Sequence, residues 1–129
     1  MELSKKSQTA IEFMIVLGSA LFFFTLIFLV INENIADKNR EKETIIVSNL
    51  AKSVQDEINL ASEASNGYYR EFFIADNIIG KDYLISVIES RIIIKTDKNA
   101  ISLPVQNVTG FIQKGSNTIR KEDGIVYLN

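Results

Sequence analysis

The sequence predicts an α+β protein: one long N-terminal helix, about residues 9–64, with a small antiparallel β-sheet domain packed on its distal half. Three observations predict it. Nineteen consecutive residues, Phe13 to Ile31, carry no charge. From Asn32 to Ser65 there is neither Pro nor Gly, and apolar residues recur at helical spacing. Beyond Gly67 they come instead in short β-branched and aromatic runs separated by turn residues.

The uncharged run is interrupted only by small or hydroxyl residues such as Gly18, Ser19 and Thr25. At about 1.5 Å of rise per residue it spans roughly the hydrocarbon core of a bilayer. It exceeds the apolar region of an ordinary secretory signal, about 7–15 residues. It has no polar face, as a water-soluble core helix would. The residues before it are ordered: Lys5-Lys6, then Ser7-Gln8-Thr9, then a single acid, Glu12. An acid at the edge of such a run costs free energy, up to a few kcal/mol at mid-membrane and less near the interface. Glu12 therefore either marks the membrane boundary or awaits a partner.

This order resembles the class III signal peptides of type IV pilin-like proteins, most closely the archaeal pattern. The resemblance covers Lys5 to Asn34, and its most telling part is the motif QTAIEF, Gln8 to Phe13. Ala10 departs from it, since many archaeal members have Ser two places before the Glu. The resemblance implies that a prepilin peptidase cuts between Ser7 and Gln8, making Gln8 the first and Glu12 the fifth residue of the mature chain. Residues 1–7 are then a leader peptide, 8–31 a transmembrane and assembly helix, 32–64 its continuation and 65–129 the antiparallel β domain. The architecture resembles the type IV pilin "lollipop". The implied role is a structural subunit, major or minor, of a surface filament used for attachment. Its partners would be the peptidase, the membrane and further copies of the same or related chains.

Gln8 and Glu12 lie four apart and share one helix face. The carboxylate of one subunit can pair with the free α-amine on Gln8 of the next and so fix their register, the best-attested use of a buried ion pair. Cyclisation of Gln8 to pyroglutamate would remove the charged amine. Rival readings are an uncleaved single-pass envelope protein, a low-copy pseudopilin of a secretion or motility machine, and a secreted protein cut near Ala36. The last has a poor small-residue site in Asn34-Ile35-Ala36.

The remaining composition narrows the function. With 129 residues and one apolar anchor, there is room for one small globular domain. The net charge is −2; loss of residues 1–7 removes Lys5, Lys6 and Glu2 and makes it −3. Such a chain has no broad attraction to nucleic acid. It lacks cysteine and histidine, so disulfide scaffolds, the usual zinc and iron sites and Ser-His or Cys-His nucleophile pairs are all excluded. No phosphate-cradling glycine loop is present. No enzymatic activity, cofactor, metal or small-molecule substrate is expected, and carboxylates such as Asp56–Glu57, Glu89 and Glu122–Asp123 read as solvated faces and turns. Lys5 and Lys6 favour a cytoplasmic N-terminus and an outside domain, although Lys38, Arg40 and Lys42 follow the run.

Past the membrane run, NENIADKNREKET is charge-mixed, and a bend is allowed near Asn32–Asn39. Ile46, Leu50, Val54 and Ile58 then stand four apart, with Val47, Ala51 and Ala61 alongside, as one stripe for the sheet to cover. Ser65-Asn66-Gly67 is a stop signal. REFFIA, DYLISVI, RIIIKT, AISLPV, NTIRK and GIVYLN read as strands of a meander. Asp97-Lys98-Asn99 and Glu122-Asp123-Gly124 are the clearest hairpin turns, and Pro104 ends its strand or marks an edge. Asn107-Val108-Thr109 is an N-glycosylation sequon in an expected loop, with Asn107 the acceptor. Tyr68, Tyr69, Phe72 and Phe73 form an aromatic cluster after the helix.

Overall fold

A computed structural model describes residues 2–129, with side chains from Ser4 onward. Met1, in the expected leader, lies outside the described residues. One helix, α1 (Glu2–Glu63), precedes seven strands: β1 (Tyr69–Ile74), β2 (Leu84–Ile88), β3 (Arg91–Lys95), β4 (Ala100–Pro104), β5 (Val108–Gly110), β6 (Gly115–Glu122) and β7 (Ile125–Leu128). The α+β class is therefore observed. The helix starts earlier than the expected Thr9, because nothing between Glu2 and Gln8 breaks it, and it stays helical through Asn32–Asn39. The chain divides into two compact units, residues 1–40 and 41–129.

In the second unit, residues 41–63 of α1 bury Val47, Ala51, Val54, Ile58 and Ala61 almost completely. Ile46 and Leu50, expected on the buried line, are only partly covered. The reason is the helical period. A strict four-residue series turns by about 40° more than a full circle at each step, so it walks off a face; steps of four and three stay on it.

The expected single meander is two sheets. β2-β3-β4 form a three-stranded antiparallel sheet, and β1-β6-β7-β5 a four-stranded one. β1 pairs with the distant β6, Tyr69 opposite Arg120 and Ile74 opposite Gly115. One pair is parallel: β5 runs alongside β7, Val108 level with Val126 and Gly110 with Leu128. β5 is three residues long, too short for its periodicity to show in the sequence. Ile92 and Ile94 of β3, Ile74 of β1, Ile119 of β6 and Val126 and Leu128 of β7 complete the core with Tyr83, whose hydroxyl donates to the carbonyl of Ala75.

The turns follow their chemistry. Asp97-Lys98-Asn99 closes β3–β4, and Asp123-Gly124, with φ of 50° and 78°, makes the two-residue turn of β6–β7. β4 ends at Pro104 and is an edge strand, where a missing N–H does no harm. Glu89-Ser90 joins β2 to β3 with both residues at positive φ, 49° and 61°, a turn usually given to Asn or Gly.

The helix end is held by a residue that its local sequence does not advertise. Gly67 takes the left-handed conformation, φ 93°. Lys121 of β6 donates from Nζ to the carbonyls of Ser62 (2.6 Å) and Ala64 (2.8 Å), while its own carbonyl accepts from the N–H of Gly67 at 2.8 Å. A cation on the last carbonyls satisfies acceptors the helix leaves open and opposes its dipole. Lys121→Met keeps most of the apolar stem and loses both bonds, so it is expected to cost about 1.5–3 kcal/mol. Thermal unfolding of the full chain in detergent, with hydrogen exchange at Ala61 to Ala64, checks this; unchanged exchange there would refute it.

Candidate processing and assembly site

Within the first unit the apolar run stands bare. An 18-residue window of the helix has a mean hydropathy of 2.8 and is 0% buried within the chain. Phe13, Phe22, Phe24 and Phe28 are all exposed. The few polar groups in it are turned inward on the helix itself. Ser19 Oγ donates to the carbonyl of Ile15 and Thr25 Oγ1 to that of Leu21, both at 2.8 Å. Such a cylinder offers lipid, or a like helix, no unmet hydroxyl donor. This is a helix long and apolar enough to cross a membrane.

Ser7, Gln8 and Glu12 all lie in α1 and are exposed. Gln8 and Glu12 sit one turn apart on one face. Thr9 Oγ1 donates to the carbonyl of Lys5 at 3.0 Å, so the helical pattern extends back past the Ser7–Gln8 bond. Any peptidase acting there must open a helical turn, since a bond inside a helix is shielded by the hydrogen bonds around it. Among the described residues, Glu12 has no ion-pair partner in its own chain.

Asn107 is exposed in the two-residue approach to β5. The loop expected for the sequon is therefore only partly a loop: Val108 and Thr109 belong to β5, paired with Val126 and Tyr127. The aromatic cluster divides by strand alternation. Phe72 packs on the core and Tyr68 is half-buried, whereas Tyr69 and Phe73 face outward at 59% and 69% exposure.

The carboxylates of the second unit occupy structural places. Glu57 pairs with Arg70 at 3.5 Å and Glu122 with Arg120 at 3.6 Å; Glu89 and Asp123 sit in the turns, and Asp56 is exposed. Lys114 donates to Asp82 and holds its carboxyl below the usual range. The hydrogen bond to Glu71 pushes the Tyr69 phenol up, and burial does the same to Tyr83. All three shifts run away from neutrality, the opposite of what a proton-transfer group at pH 7 needs.

The sequence gave no warning of Glu43. It is 4% exposed, accepts from Thr96 Oγ1 at 2.9 Å and meets Lys81 Nζ at 3.4 Å. Thr96 in turn accepts from the N–H of Asn99 at 2.9 Å, so one carboxylate ties α1 to the β3–β4 turn. Glu43 lies four residues before Val47, on the buried line, and that spacing is the signal that could have found it.

No family model, curated protein or solved structure matches this chain.

Proposed function

We propose that the chain is a type IV pilin-like subunit: inserted with its N-terminus inside, cut by a prepilin peptidase between Ser7 and Gln8, and assembled through the helix 8–31 into a surface filament that serves attachment. One observation carries this reading. A basic pair, a small residue, Gln8 and Glu12 stand in that order before nineteen uncharged residues of a helix that nothing in the chain covers. The helix must find an apolar surrounding, and identical helices supply one once lipid is left behind. Gly18 and Ser19 permit close approach of backbones. Glu12, unpaired within the chain, gains the α-amine of a neighbouring Gln8. Asn107, exposed, becomes a glycan acceptor on the outside.

The test is the N-terminus of the native protein, by mass spectrometry of membrane and sheared-surface fractions. The expected chain begins at Gln8, free or as pyroglutamate, and the same spectra show whether Asn107 is modified. A chain beginning at Met1 would leave an uncleaved anchored domain. One beginning beyond Ile31 would reduce the run to an export signal.

A further inference from the structure

The segment after the apolar run, Asn32 to Arg40, is helical and exposed throughout. It carries Glu33, Asp37, Lys38 and Arg40. Among the described residues, none of the ion pairs involves Glu33, Asp37 or Lys38. At about 100° of turn per residue, Gln8, Glu12, Glu33 and Asp37 fall within about 60° of one another around the helix, whereas Lys38 lies about 100° from Asp37. Acids thus gather on one side of the helix and Lys38 stands on another. A contact that repeats without closing joins two different patches of the same molecule, and it gives an open filament.

We propose that residues 32–40 form a charged collar in which Lys38 and Arg40 of one copy pair with Glu33 and Asp37 of the next. The collar rests on the filament reading and adds a second contact to it, beside Glu12 and the amine of Gln8. The two contacts agree in register. Placing Gln8 of one copy level with Glu12 of its neighbour staggers the helices by four residues, about 6 Å. That stagger brings Glu33 within one residue, about 1.5 Å, of the neighbour's Lys38, and Asp37 within one residue of the neighbour's Arg40. The long basic side chains bridge such an offset. The occupant of this face is a second copy of this chain, since the complementary charges stand at matching heights on the same helix.

Charge reversal in the full-length protein tests the collar. The readout is the amount of mature chain in the sheared-surface fraction against that in the membrane. Lys38→Glu and Glu33→Lys are each expected to lower the sheared polymer about tenfold, since like charges then face one another across the contact. Both sites are exposed on a helix, so membrane levels and the Gln8 start should stay as in the unsubstituted chain. The double variant restores opposite signs and should return polymer to within about twofold of normal. Single variants that assemble normally, or a double variant no better than either single, overturn the collar alone. An unsubstituted chain that starts at Met1 and never reaches the sheared fraction overturns the filament reading and the collar with it.

Discussion

Replacing Glu12 with alanine is expected to spare cleavage after Ser7 and to abolish filaments. Glu12 is a cost to the lone subunit: a carboxylate at the edge of nineteen uncharged residues loses part of its hydration when the helix enters lipid. Alanine removes that cost, by up to a few kcal/mol at depth and less at the interface, and it favours the helix. The variant should therefore accumulate in the membrane at least as well as the native chain. What it loses is the demand for a partner. Without a carboxylate to match the amine of Gln8, adjacent helices can slide by a turn at little cost, because an apolar cylinder has no preferred height against another. Polymer in the sheared fraction should fall about tenfold or more, as when one side of a desolvated charge pair is deleted. The start of the membrane-bound chain should remain at Gln8. Filaments of normal number and length in this variant would remove Glu12 from assembly.

Legibility in the sequence followed the range of the interactions. The apolar run, the stop at Gly67 and the Asp123-Gly124 turn are written in neighbouring residues, and each stands where its local chemistry places it. The buried line of α1 was legible only in outline. Four-residue spacing pointed to Ile46 and Leu50, but the real period leaves them at the flank and centres Val47, Ala51 and Val54. The division into two sheets was not legible, because β1 finds its partner some forty residues later in β6 and no local signal names that partner. Lys121 shows the same limit: it looks like an ordinary surface lysine until β6 brings it to the last carbonyls of the helix. At the N-terminus the reverse holds. Ser7, Gln8 and Glu12 were chosen from their order alone, and the helix adds that two of them share a face and that the expected cleavage bond lies within a helical turn.

Gly110→Ala is expected to be the most damaging single change in the second unit. Gly110 ends β5 with φ at 114°, a conformation that penalises any Cβ. A Cβ there would also lie 1.9 Å from the carbonyl oxygen of Leu128 and 2.9 Å from its carbon. Those atoms are backbone, and they belong to a residue that is 0% exposed in the core, so they cannot step aside as a surface side chain would. The strand must move instead. β5 is an edge strand of three residues, paired only to β7, and its easiest escape is to leave the sheet. Escape uncovers Val108 and the top of Val126 and Leu128, which limits the penalty to that of undocking one short strand. The cost expected is about 2–4 kcal/mol, combining backbone strain with lost burial. Gly115→Ala is the control: its φ is 87°, yet nothing lies within 4 Å of the added Cβ. It should cost about 1 kcal/mol, the backbone term alone. Near-ultraviolet circular dichroism of the tyrosines during thermal unfolding, on the full chains in detergent, measures both. Equal melting of the two variants would mean that β5 gives way without strain and that the contact with Leu128 does not hold the sheet edge.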